Sequence, residues 1–248
     1  MKEMSKIFLV LLTTVIVILI IPQNSFAWGP SVHIGVSLAS LEKLPDFLKI
    51  LLASNLNEYL YGSLAPDFIV GKSLSEKDKH SHNWKIGFSL LKNAQNDREK
   101  AFAYGYLSHL AADSVAHGIM VKEMSNIKHL YIENLADSLC EKSYKELATK
   151  VINRYNASLD VQFKRKVDTV LFSFGVSKFI FKSIVKASAF SSGKRGFQKV
   201  LLNKKFIETF SVDFSQIKDY IELSKKFSID VLTKEELSLV VKISAISE

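Results

Sequence analysis

The stretch Ala101–Glu133, AFAYGYLSHLAADSVAHGIMVKEMSNIKHLYIE, decides how the rest of the chain is read. His109, Asp113 and His117 stand four residues apart, so at about 100° per residue their side chains fall within roughly an 80° arc of one helix. The surrounding run is built for helix. Asn96 or Asp97 offers a cap, Glu99 follows three residues after Asn96, Ala, Leu and Tyr fill the turns, and Gly118 offers a stop. Further on, His129 and Glu133 repeat the four-residue spacing and bring a second imidazole and carboxylate side by side. One histidine on an apolar helix is ordinarily a hydrogen-bonded core residue. Five nitrogen and oxygen ligands within 25 residues, on the spacing that aligns them, point instead to metal.

Outward from that stretch, the 248 residues are 48% hydrophobic and 23% charged, which suits one large globular domain. Only 10 Gly and 4 Pro argue against a sandwich of short strands, and no internal repeat is visible. Residues 1–27 read as a targeting segment. Lys2 and Lys6 form a basic start, Ile7 to Ile21 is an apolar run interrupted only by Thr13 and Thr14, and Ser25-Phe26-Ala27 is a small-x-small cleavage signal. The run is 15 residues, short of the ~20 that span a bilayer, which favours cleavage over retention as an anchor. A secreted or periplasmic protein beginning at Trp28 is the expectation, membrane-anchored if the segment is kept. The single cysteine, Cys140, excludes an intramolecular disulfide, so stability must come from the core and from metal.

Trp28 to Leu44 has Pro30 where a first helical turn tolerates it, with Val32, Val36, Ala39 and Leu44 on a helical period and His33 one turn in. Cleavage before Trp28 would free an α-amine, whose pKa near 8 lets it deprotonate onto a metal. In Tyr61–Val70, Gly62 and Pro66 make the chain turn and present Asp67 on a bend. Fifteen residues later His80-Ser81-His82-Asn83-Trp84 opens a helix expected over Trp84–Ala94. Alternate residues of an extended segment face the same way, so His80, His82 or both can reach one site.

These motifs together, W-G-x-x-x-H after a leader, G-S-x-A-P-D, H-x-W, G-Y-L-S-H-x-x-x-D and H-x-x-x-E, resemble the zinc-dependent phospholipase C family, whose wider superfamily includes single-strand-specific zinc nucleases. The resemblance covers roughly Trp28 to Asp137. It implies an all-α, multi-helix bundle enclosing a cluster of two to three zinc ions. One zinc would take Asp67, His82, His109 and Asp113. A second would take Trp28 through its α-amine and carbonyl, with His33 and Asp113 as bridge, and a third His117, His129 and Glu133. In the best-known members more than three residues separate the bridging aspartate from the next histidine. The implied chemistry is phosphodiester hydrolysis, in which clustered zinc acidifies a water and holds phosphate oxygens, with Asp67 the candidate general base.

Residues 28–149 form the helical core on this reading, and residues 150–248 a basic region packed on it. The latter carry 18 Lys and Arg against 10 Asp and Glu, a net of +8, whereas residues 28–149 carry 13 against 14. Val170–Phe190 sets Lys178, Lys182 and Lys186 in a four-residue row, an amphipathic basic helix suited to an anionic surface, at about 1 kcal/mol per lysine near a charged bilayer. Ser191–Gly196 is a connector, wrongly spaced for a Walker loop. Three functions follow: a secreted hydrolase acting on phospholipid at a membrane surface, a single-strand nuclease acting on nucleic acid, and a metal-stabilised binding protein without turnover. The nucleases lean on disulfides, which this chain lacks. No protein partner is implied.

Overall fold

Helix α5 (Asp97–Gly118) forms because its ends and its interior agree. At its start the Asn96 side chain accepts from the Glu99 N–H at 3.0 Å, while Glu99 Oε2 accepts from the Gln95 N–H at 2.8 Å. Two otherwise orphaned donors are thereby satisfied. From Ala101 to His117 every residue is buried, so the helix must be surrounded on all sides. The computed structural model describes residues 28–120, 125–154, 156–191 and 196–246. The leader at 1–27 with its cleavage site, and residues 192–195 of the connector, lie outside the described residues.

Around α5 the chain sets α1 (Pro30–Leu41), α2 (Asp46–Ser54), α3 (Leu56–Gly62), α4 (Trp84–Lys92), α6 (Asn126–Leu139), α7 (Lys142–Asn153), α8 (Ala157–Lys164), α9 (Phe174–Ser191), α10 (Gly196–Leu201), α11 (Lys204–Thr209) and α12 (Phe214–Lys234). The fold is an all-α bundle with no strand among the described residues. Helices α3, α4 and α12 pack against α5, and α1 packs against α5, α7 and α12. Small side chains permit the closest approaches. Ser108 of α5 lies 2.7 Å from Ser228 of α12 and 3.2 Å from Ser37 of α1, hydroxyl to hydroxyl. Where α3 meets α5 there is no room for a side chain at all: a Cβ on Gly105 would lie 1.9 Å from the Tyr59 carbonyl oxygen, and one on Gly62 would lie 2.0 Å from that of Phe102.

Two apolar clusters fill the interior. One gathers Leu52, Leu60, Phe68, Phe102, Phe163 and Phe181, the other Trp28, Val36, Val115, Leu135 and Ile217. Each fully buried large side chain contributes about 1.5–3 kcal/mol. Helices α1 and α5 contribute to both clusters and also carry His33, His109 and Asp113. Helix α12, from the +8 region, supplies Ser224, whose hydroxyl accepts from the Trp28 indole N–H at 3.0 Å.

Two local expectations are corrected. The helix read over Trp84–Ala94 stops at Lys92, because the Asn93 side chain turns back to donate to the Ser89 carbonyl at 2.6 Å. The basic helix starts at Phe174 rather than Val170, and its lysine row is broken. Lys178 turns inward beside the buried face of Phe174, Ser177, Phe181 and Val185, pairs with Asp160 at 2.5 Å and lies over the rings of Tyr61 and Phe68. Of the row, Lys182 is half-buried and Lys186 exposed. Among the described residues no helix is long and apolar enough to cross a membrane.

Candidate metal centre

Helices α1 and α5 bring His33, His109 and Asp113 together. The imidazoles of His33 and His109 stack with centroids 3.8 Å apart and planes 12° from parallel. Asp113 faces both ways: Oδ1 lies 3.3 Å from His33 Nε2, and Oδ2 lies 3.0 Å from His109 Nε2 and 2.9 Å from His82 Nε2. His109 has its ring fixed from behind, since Nδ1–H donates to the Ser63 carbonyl at 2.8 Å. That bond fixes the ring and turns Nε2 toward Asp113. The Ser63 carbonyl is available there because of the glycine contact between α3 and α5.

The turn after α3 delivers the rest. Ala65–Phe68 forms a 3₁₀ turn that points Asp67 inward, with Oδ1 3.5 Å from His82 Nε2 and 4.0 Å from His109 Nε2. The histidine loop is tied to α5 by Tyr106, whose hydroxyl donates to the Ser81 carbonyl. This resolves which histidine enters the cluster. His82 does; His80 folds back so that its Nδ1 accepts the His82 backbone N–H at 3.0 Å. The sequence reading missed Lys72. Its side chain is buried, with Nζ 2.6 Å from Asp67 Oδ1 and 3.0 Å from His82 Nε2. The available signal was Gly71, whose left-handed φ of 77° turns the chain there.

His117, His129 and Glu133 gather separately and less tightly. The two rings lie 5.7 Å apart and His129 Nε2 lies 3.1 Å from Glu133 Oε1. His129 Nε2 is also 3.1 Å from the Ala116 carbonyl, to which it donates. Among the described residues, the sets whose ligand atoms all lie within 4.8 Å of one another are His33, Asp67 and His109, and His82, His109 and Asp113. The described contact of Trp28 is that of its indole, and the leader preceding it is outside the described residues.

Burial sets the charge states. It lowers the pKa of His33, with His109 adding to the effect, and brings His117 down to about 3 and His80 to about 2. His109 goes the other way: burial opposes its charge, but Asp113 and Asp67 outweigh burial and raise its pKa, so this ring would give up a proton as metal binds. Burial works to raise the Asp113 pKa, but His109 and His33 outweigh it and hold the carboxyl below its usual range. Burial likewise opposes ionisation of Asp67, and Lys72 together with His109 and His82 overcomes it. Glu133 goes the other way, raised by burial and by the neighbouring Asp113 and Asp67 charges.

The donor set fits a metal on one decisive point. Both nitrogens of His33, both oxygens of Asp113, Nδ1 of His117 and both oxygens of Glu133 are buried with no hydrogen-bond partner among the described residues. Two of these atoms, His33 Nε2 and Asp113 Oδ1, lie 3.3 Å apart, and Asp113 Oδ2 and Glu133 Oε1 lie 2.9 and 3.1 Å from His82 and His129 Nε2, without forming hydrogen bonds. Buried polar atoms left this way are costly, about 1–3 kcal/mol each. Coordination would satisfy them together.

Comparison with known proteins bears on the same residues. A protein of Archaeoglobus fulgidus described only as uncharacterized is 31% identical over 121 residues, 46% of this chain and 32% of its own length. A second uncharacterized protein from that organism is 43% identical over 67 residues, 25% of this chain and 22% of its own length. The chain thus spans a third or less of the curated relatives it matches. No solved structure matches it. The sequence model of the zinc-dependent phospholipase C family matches residues 32–175, more than half of the chain and all the described ligand candidates except Trp28. The chain belongs to the zinc-dependent phospholipase C family.

Proposed function

We propose that this protein is an exported zinc-dependent phosphodiesterase that cleaves phospholipid. The observation that carries the reading is Asp113, whose two unpartnered oxygens face different imidazoles, His33 on one side and His82 with His109 on the other. A carboxylate so placed is suited to bridge two metal ions. Asp67, His82, His109 and Asp113 would hold one zinc, His33 and Asp113 with the Trp28 amine a second, and His117, His129 and Glu133 a third. Zinc at such a centre supplies Lewis acidity and a water acidified toward neutral pH. The chain's residues do the remainder. Asp67, a carboxylate inside the site, takes a proton from the attacking water as its oxygen bonds to phosphorus and the P–O bond to the alcohol breaks, and returns that proton to the departing alcohol oxygen, a role that needs its contact with Lys72 released.

A lipid substrate is supported by what lies beside the centre. Leu171 and Phe172 (each 37% exposed), Val176 (46%) and Phe179 (69%) form an apolar edge. It begins next to the site, because the Leu171 side chain lies directly over Gly71. Exposed apolar groups close together mark an interaction surface, and Lys182 and Lys186 one and two turns on suit an anionic bilayer. The test is hydrolysis of phosphatidylcholine vesicles and of single-stranded DNA by the same zinc-loaded preparation. Vesicle hydrolysis should exceed DNA cleavage, and the Phe172→Ser, Phe179→Ser double variant should lose vesicle hydrolysis while keeping activity on a water-soluble short-chain analogue. Cleavage of DNA alone would overturn the lipid reading.

Export ties processing to the second zinc. An amide nitrogen lacks the basic lone pair of an amine, so Trp28 can ligate only after the bond to Ala27 is cut. A chain with one extra alanine before Trp28 should hold one zinc fewer and hydrolyse about 10–100-fold more slowly. Mass spectrometry of the terminus, zinc content and rate on the two forms check this; equal values would remove Trp28 from the ligand set.

A further inference from the structure

Lys72 is the one lysine inside the cluster, among the described residues, and nothing in the proposed chemistry accounts for it. It is 4% exposed, and a lysine is so deeply buried only when paired. Its placement is built into the backbone. Gly71, at φ 77° and ψ 23°, starts the short turn Lys72–Leu74, and Leu171 closes over the outside of Gly71, so that Lys72 is directed inward while Ser73 and Leu74 stay exposed. A Cβ at Gly71 would meet Leu171 at 2.4 Å. The ammonium lies 2.6 Å from Asp67 Oδ1 and 3.0 Å from His82 Nε2. An ammonium has donors only, so its contact with His82 engages the ring lone pair, and zinc needs that same lone pair. The two occupants exclude each other at His82.

We propose that Lys72 is a placeholder cation: without zinc its ammonium stands between Asp67 and His82, and zinc enters that position by displacing it. The inference rests on the zinc centre proposed above but not on its substrate. Three carboxylates, Asp67, Asp113 and Glu133, are buried in or beside the cluster, and the lysine offsets part of their mutual repulsion before metal arrives. The ligand set is therefore held together in the metal-free protein. The same contact weakens zinc at this one position, since binding must first break it.

The experiment uses the chain beginning at Trp28, as wild type, Lys72→Met and Lys72→Gln. Zinc affinities are measured by competition with a chromogenic chelator, and thermal midpoints with and without zinc. Lys72→Met keeps the length of the side chain and removes the charge. It should bind one zinc ion about tenfold or more tightly than wild type, the range by which groups around metal ligands change affinity. Its metal-free midpoint should fall while the zinc-loaded midpoint stays. If a variant is unfolded without metal, circular dichroism during zinc addition decides: folding on zinc supports the placeholder, and a chain that stays unfolded overturns it. Unchanged affinity, or weaker binding of every ion, also overturns it. A wild type that takes up no zinc would remove the centre itself, whereas zinc binding without hydrolysis would remove only the proposed function.

Discussion

Asp113→Asn is expected to lower phosphodiester hydrolysis on the order of 10³-fold, because metal stabilisation of transition-state charge is worth several kcal/mol and each 1.36 kcal/mol is tenfold in rate. The substitution keeps the shape of the side chain but removes its negative charge and replaces one of the two oxygens by an NH2 group that can only donate. In the folded protein those oxygens face separate partners, His33 at 3.3 Å and His109 and His82 at 3.0 and 2.9 Å. Losing either should cost at least one zinc ion per chain. Metal analysis and rate measured on the same preparation check the expectation. Full zinc with an unchanged rate would show that Asp113 is a buried structural carboxylate held by histidines.

Gly105→Ala should be the most damaging single-methyl change in stability. The added Cβ would lie 1.9 Å from the Tyr59 carbonyl oxygen and 2.9 Å from the Ser63 backbone nitrogen, so no side chain can rotate out of its way. Helices α3 and α5 must separate, at a cost of about 3 kcal/mol or more by the usual scale of overpacking. For a chain of this size that corresponds to a thermal midpoint lower by roughly 6–12 °C. The separation also withdraws the Ser63 carbonyl from His109 Nδ1, now at 2.8 Å, so zinc affinity should fall with stability. Gly175→Ala, where nothing lies within 4 Å of the added carbon, is the control and should shift the midpoint little. Equal midpoints for the two variants would mean that the α3–α5 crossing is far softer than its geometry implies.

Much of this molecule is legible in the chain because the relevant forces act over a few residues. The cap formed by Asn96 and Glu99, and the four-residue spacing of His109 and Asp113, need only a helix to become a pair of adjacent groups. The all-helical class and the family follow from such local patterns combined. The loop was another matter. Whether His80 or His82 faced the cluster depended on Tyr106 holding the Ser81 carbonyl from a different helix. The lysine row on α9 looked like a surface feature until Asp160 and the rings of Tyr61 and Phe68 drew Lys178 inward.

By itself the sequence determined an α-helical chain carrying imidazoles and carboxylates at helical spacing, since periodicity and capping are properties of neighbouring residues. Only the tertiary structure decided how those groups meet. It stacked His33 on His109 across 76 positions of chain, turned the two oxygens of Asp113 toward different partners, and lodged the Lys72 ammonium between Asp67 and His82. Each of these depends on surfaces brought together from distant segments, the glycine crossing of α3 and α5 and the closure of Leu171 over Gly71 above all. No local pattern encodes such contacts, because the free energy that holds them comes from apolar burial shared across the whole bundle.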